Sequence, residues 1–339
     1  MKQISIEIIH KCPNKCLHCS SCSDVTCTMK LDTDKVLNII DSAKILETEI
    51  ISISGGEPFL HEGLLDIVKY IKSQGIKVYL YTSGVTITSA NETDSIEDKT
   101  FKILKNMEVD KIIFDLPAID EKIYDEFMGT VGYQKYALES IRLCKKHNIF
   151  TEIHFVPTKI NVDQVDSIMD FSKNEKIDVV NFLGLIPHGR ARKFADRLYL
   201  NIQDNIKLKN KLHMLEGENV RVGIPLQNIE SEYNCYAGRS KLCIRYDGKV
   251  FGCEAFKYVQ LFDDNGDIIY PDSIYEKNLV DIYYNSVYLK RERKFIEEQM
   301  CDGNCQEKCP VQRMMRKSVG FQDAAESGNF YSRIKSAEE

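Results

Sequence analysis

Six short apolar runs punctuate residues 4–185: ISIEII (4–9), IISIS (50–54), IKVYLYT (76–82), KIIFDL (111–116), IFTEIHFVP (149–157) and DVVNFLGL (178–185). Their length and their content of β-branched and aromatic residues read as strands. Between the first two, Val36, Ile39, Ile40 and Ala43 recur at helical spacing behind a capping Asp32 or Thr33. Between the second and third, Leu64, Leu65, Val68 and Ile71 do the same, and Gly75 closes that helix. Further helical stretches fall near 94–108, 133–147 and 161–174. Strands alternating with helices predict a parallel α/β architecture, and six units are fewer than a closed barrel's eight. The expected fold is therefore a partial (β/α)6 barrel, with its site at the C-terminal strand ends, where the loops converge.

From about residue 220 the pattern changes: strands shorten, turns such as Asp247-Gly248 and Asp264-Asn265-Gly266 appear, and cysteines return. The boundaries expected are a barrel over 1–215, a small cysteine-rich domain over 216–320, and a poorly packed polar tail over 321–339. A helix over 203–216 would bridge the first two. Charge and length then narrow the function. The 339 residues carry a net charge of −6 with both signs interspersed and no long basic stripe, which argues against a nucleic-acid or anionic-membrane surface. Peptides or small molecules are the expected partners. No run of about 18 apolar residues exists, and the chain enters its first strand without a charged-then-apolar leader, so a soluble cytoplasmic protein is expected.

The 12 cysteines fall in two groups, 12 to 27 and 235 to 309, with Cys144 between them. In a chain of this length without a signal, such clustering points to metal rather than to disulfides. Cys144 shares a helical face with Ala137 and Ile141 and reads as core. Cys12, Cys16 and Cys19, in KCPNKCLHC, directly follow the first strand. Three thiolates on one short loop can hold three irons of a [4Fe-4S] cube and leave the fourth open to a ligand. Two other readings compete. Cys16, Cys19 and Cys22 with Cys27 approach a four-ligand ferredoxin run, and cysteines with His18 can make a zinc site. Otherwise Cys22 and Cys27 read as thiols outside the cluster.

The strand before the loop and Ser54-Gly55-Gly56-Glu57-Pro58 at the end of the second strand favour the open cube. Together they resemble the radical S-adenosylmethionine (radical SAM) enzymes, with their C-x3-C-x2-C loop and GGE-type motif. The resemblance implies a cluster that binds S-adenosylmethionine (SAM) and splits it by one electron into a 5′-deoxyadenosyl radical. It implies that backbone groups of Gly55, Gly56 and Glu57 meet the methionyl amine, with Pro58 fixing the turn, and that His18 stacks on adenine. Ser83 would reach the ribose, Asp115 would contact cofactor or substrate, and Arg190, in Pro187-His188-Gly189-Arg190-Ala191, would hold a carboxylate. An electron donor such as a flavodoxin or ferredoxin is implied as partner.

Cys235-x2-Gly238-x4-Cys243, with a hairpin ending in Cys253 and then Cys301, Cys305 and Cys309, resembles the SPASM auxiliary-cluster domain. Cys235, Cys243 and Cys253 with Cys305 or Cys309 suffice for one further [4Fe-4S] cluster; zinc is the competing occupant. Glu254, next to Cys253, is the candidate base, by resemblance to an Asp after a cluster cysteine in anaerobic sulfatase-maturating enzymes. The expected reaction is hydrogen abstraction and oxidation of a peptide or protein side chain. Small-molecule dehydrogenation is the alternative, and a non-catalytic electron carrier or zinc scaffold is the rival of another class.

Overall fold

The structure of the chain, a computed structural model, describes residues 1–223, 226, 235–299 and 309–318. Its centre is a sheet whose strands are β1 (Gln3–Ile9), β2 (Ile50–Gly55), β3 (Lys77–Thr82), β4 (Lys111–Asp115), β5 (Thr151–Phe155), β6 (Val179–Phe182), β7 (Val220–Val222), β8 (Lys241–Ile244) and β9 (Val250–Phe251). They lie in the order β9-β8-β1-β2-β3-β4-β5-β6-β7. Every pairing is parallel except that of β8 with β9. The six predicted strands are β1 to β6, and the α/β partial barrel is the fold.

Helices α1 (Thr33–Ile45), α2 (Leu64–Ser73), α3 (Asp98–Asn106), α4 (Glu121–Met128), α5 (Gln134–Lys146), α6 (Val165–Asn174) and α7 (Ile202–Leu215) fill the connections. Two differ from the sequence pattern. Residues 94 and 95, expected in a helix, instead join a short hairpin in which Ser95 pairs with Val85, and α3 begins behind Glu97. Before α6, Val162–Gln164 takes a tighter 3-10 turn.

Strand parity organises the interior. Ile4, Ile6 and Ile8 of β1 and Ile51 and Ile53 of β2 are fully buried in one apolar cluster with Val36, Ile39, Ile67 and Val68 of α1 and α2. Each such side chain contributes about 1.5–3 kcal/mol by leaving water. The opposite parity of β1 to β5 carries Ser5, Glu7, Ser52, Tyr79, Tyr81, Asp115, Glu152 and His154. These residues line the barrel's lumen. Beyond residue 216 the sheet continues at both edges, where β7 pairs with β6 and β8 with β1, with Ser5 opposite Cys243. Beyond β9 come α8 (Leu279–Asn285), α9 (Val287–Glu298) and α10 (Pro310–Ser318). The predicted tail over 321–339 lies outside the described residues.

Candidate active site at the barrel mouth

The loop leaving β1 is fixed from both sides of the barrel. Cys12 N–H donates to Asp24 O (3.1 Å), and Lys15 and Leu17 donate to Met128 and Phe127 at the end of α4. Arg190 holds the loop from the far edge: its backbone N–H reaches Cys19 O (2.9 Å), Nη1 reaches Cys16 O (2.8 Å) and Nη2 reaches Ser23 O (2.8 Å). The Arg190 guanidinium is thus engaged with loop carbonyls. Gly189 permits the approach, since a Cβ there would sit 2.3 Å from Ser20 O and its φ is +59°. From the C-terminal region, Lys257 Nζ donates to Ser20 Oγ (3.0 Å), Ser21 Oγ (2.8 Å) and Glu7 Oε1 (2.5 Å). The Lys257–Glu7 pair is buried, and the neighbouring carboxylate keeps the lysine above its usual range despite burial.

On this loop Cys12, Cys16 and Cys19 lie within one another's electrostatic field. Burial pushes Cys12 and Cys16 well up, and at Cys16 the nearby Cys12, Cys19 and Asp115 add to the effect while Arg190 opposes it. Thiols so placed need a strong cationic ligand to ionise, which an iron centre supplies. Among the described residues no three His, Cys, Asp or Glu side chains converge on one metal ion. Cys27 turns away, its Sγ lying 3.5 Å from His10 Nε2 and 3.7 Å from Asp24 Oδ1, and Cys22 acts on Tyr258. His10 is itself stacked on Tyr246 at 3.7 Å.

The β2 exit lies against the same loop. Gly56 N–H donates to Ile9 O (2.6 Å) and Glu57 N–H to Lys11 O (2.9 Å). A Cβ on Gly55 would lie 2.2 Å from Ile9 O, and one on Gly56 2.2 Å from Lys11 O. These glycines are needed for backbone-on-backbone packing, and an ammonium group, which only donates, would find the carbonyl side of the run. The Glu57 side chain is fully buried and accepts from Thr82 Oγ1 (2.8 Å), Ser83 N (2.9 Å) and Ser83 Oγ (2.7 Å). Burial raises its pKa against those hydrogen bonds. It ties β2 to β3, and the Ser83 hydroxyl is engaged with it. Pro58 opens a 3-10 turn over Pro58–Leu60 and fixes the exit.

Across the mouth, His18 Nε2 meets Asp115 Oδ2 at 3.2 Å, and the His18 ring tilts against Phe127 at 4.7 Å. His18 Nδ1, both polar atoms of the Asn14 carboxamide and the Tyr124 hydroxyl are buried without protein partners. Tyr124 lies within the field of Cys16 and Asp115. Unpaired buried polar groups around three thiols fit a site built for a polar, sulfur-ligated group.

The second cysteine group assembles from separate segments. Cys243 is on β8 and Cys253 follows β9; burial raises the Cys253 pKa well up, and the charges of Cys309 and Cys235 add to it. Cys301 and Cys305 lie outside the described residues. Glu254 does not stand free: Oε1 accepts from Ser5 Oγ (2.6 Å) and Oε2 pairs with Lys241 Nζ (2.7 Å). Despite desolvation, these partners bring its pKa down to about 2, so this carboxylate is a weak proton acceptor.

Sequence reading missed Lys257, Glu7 and Lys241, and although Glu152 and His154 alternate with Ile153 and Phe155 along the fifth strand, it gave neither a catalytic role. The signal was present, because parallel strands buried on both faces read as continuous apolar runs. In ISIEI, VYLYT and TEIHF every second residue is polar instead.

Residues 6–172 match the model of the radical SAM superfamily, and the chain carries a radical SAM domain. A "Fe-coproporphyrin III synthase" of Methanosarcina barkeri is 27% identical over 187 residues, which are 55% of this chain and 44% of the synthase. The chain thus spans less than half the length of that relative. A "Tungsten-containing aldehyde ferredoxin oxidoreductase cofactor-modifying protein" of Pyrococcus furiosus is 24% identical over 302 residues, 85% of this chain and 82% of that protein. Among solved structures, Streptococcus suis SuiB bound to S-adenosylmethionine superposes with a TM-score of 0.70 at 19% identity, over 95% of this chain and 76% of SuiB. The anSMEcpe structure with bound AdoMet and Kp18Cys peptide gives 0.63 at 13%, over 94% and 96%. The radical SAM domain over residues 6–172 implies SAM and a [4Fe-4S] cluster. Among the described residues no helix is long and apolar enough to cross a membrane.

Proposed function

We propose that this enzyme generates a 5′-deoxyadenosyl radical and uses it to abstract hydrogen from, and oxidatively modify, a peptide or protein side chain. The observation that carries the reading is the placement of Cys12, Cys16 and Cys19 on one clamped loop against the Gly55-Gly56 edge, at the C-terminal ends of the strands. In it the three cysteines hold the cluster, the Gly55–Glu57 edge receives the amine, and His18, Ser83 and Asp115 surround the remainder of SAM. The bound cluster and SAM would supply the radical. The chain orients the substrate and excludes water from it. Cys235, Cys243, Cys253 and Cys309 are proposed to hold at least one auxiliary [4Fe-4S] cluster that accepts an electron.

A peptide substrate is favoured by the neighbours bound to precursor peptide SuiA and to Kp18Cys peptide. The second reading, oxidation of a small molecule, is favoured by the cofactor-modifying relative, which matches most of this chain. Anaerobic reconstitution tests the common core. About eight irons per chain with reductive cleavage of SAM to 5′-deoxyadenosine is the expected result. Zinc in place of iron, or no cleavage, would overturn it. Whether an added peptide or a small alcohol accelerates cleavage separates the two substrates.

A further inference from the structure

The lumen below the mouth holds an acid–base arrangement that the radical chemistry does not itself require. Register places Asp115 of β4, His154 of β5, Asn181 of β6 and Arg221 of β7 in one layer across the barrel. One residue pair deeper, Glu152 is almost wholly buried. Its Oε2 pairs with Lys111 Nζ at 2.5 Å and lies 3.8 Å from Arg221 Nη1. Its Oε1 lies 2.9 Å from His154 Nε2 and accepts from Asn181 Nδ2 at 3.2 Å. A carboxylate only accepts, so the 2.9 Å contact places the His154 proton on Nε2 and outweighs the longer 3.4 Å approach of the Asn181 carboxamide nitrogen to the same atom.

The other ring nitrogen is left over. Among the described residues nothing hydrogen-bonds His154 Nδ1, and it is not among the buried unpaired atoms, so its lone pair is open to the lumen. The Tyr81 ring meets the imidazole edge-on at 5.5 Å. Tyr81 also lies in the field of Lys241 and Glu254, so this space borders both candidate bases. Glu254 is committed to Lys241 and Ser5. Glu152 gives His154 the opposite character, holding one nitrogen and freeing the second.

We infer that His154, oriented by Glu152, is the proton acceptor for a substrate bound in the lumen, taking a hydrogen carried on oxygen, sulfur or nitrogen. The inference rests on the reading proposed above for its substrate and adds the base to it. The step is a proton transfer alone: the X–H bond breaks, its electron pair stays on X, and the proton goes to Nδ1. The imidazolium so formed faces Glu152 on its other side. Glu152 acts through His154 and is a positioning residue.

The test uses the reconstituted holoenzyme without substrate, so that it stands apart from radical formation. Nitrogen-15 spectra of histidine-labelled enzyme, assigned with His154→Gln, should show a protonated Nε2 and an unprotonated Nδ1. Diethyl pyrocarbonate, mapped by mass spectrometry, should acylate His154, and Glu152→Gln should slow that labelling about tenfold and mix the tautomers. Glu152→Asp should restore part of both signals. A proton on Nδ1, an unreactive His154, or tautomers unchanged in Glu152→Gln would overturn the assignment. If SAM is not cleaved while these signals hold, the radical reading fails and the dyad stands; the reverse pattern removes only the dyad.

Discussion

Cys12, Cys16 and Cys19 lie within one short loop, whereas Cys235, Cys243, Cys253 and Cys309 arrive from β8, the β9 exit and segments on either side. The first group is close in sequence and needs the rest of the chain only to hold it still. The second does not exist until the chain has folded. The restraints run the opposite way: the local loop is clamped by Arg190 and Lys257, from across the barrel and from the C-terminal region. A short ligand loop therefore depends on long-range contacts for its shape, and the dispersed group on strand pairing for its existence.

The largest expected effect breaks the two groups apart. Cys16→Ala should abolish 5′-deoxyadenosine formation, while Cys253→Ala should lower iron by about four per chain and leave SAM cleavage in place. Equal loss in both would make the groups one unit. Next, Lys257→Met leaves Glu7 buried without its cation, and denaturant titration should show a loss of about 3–5 kcal/mol. A change within about 0.5 kcal/mol would mean that Lys257 does not bind the two regions together.

The lumen between the groups gives a smaller, pH-dependent effect. Hydrogen bonds and the charges of His154 and Lys111 bring Glu152 from an ordinary 4.5 down to about 2 against its burial. Its stabilisation is therefore present above pH 4.5 and lost as pH falls through 2, and amounts to about 3 kcal/mol. Unfolding midpoints followed downward from pH 5 should decline more steeply in the parent than in Glu152→Gln; parallel curves would contradict the pairing. The smallest effect belongs to Glu254→Gln. Its pair with Lys241 is about one-third to two-fifths exposed, so the stability change should stay under about 1 kcal/mol, with SAM cleavage within about twofold of the parent. A larger fall in product than His154→Gln causes would return the base to Glu254.

Much of this was legible in the residues. Strand runs such as IISIS, helical spacing at Val36, Ile39, Ile40 and Ala43, and the cysteine triplet all depend on neighbours within a few positions. The role of Arg190 was not legible, because a guanidinium bonds carboxylates and carbonyls alike and only the fold shows which lies within reach. The same holds for Gly55 and Gly56, whose missing side chains make room for the Ile9–Lys11 backbone.

The sequence by itself determined the parallel strand–helix succession, the three-thiol loop after β1 and the Gly-Gly exit after β2, because periodicity and spacing are local. Tertiary structure alone decided that β8 pairs with β1, that Lys257 reaches Glu7, that Glu254 is taken by Lys241, and that His154 keeps one nitrogen open. Those outcomes turn on strand order and on charges some 250 positions apart meeting in a space sealed from water, as Lys257 meets Glu7. No local pattern encodes such a meeting.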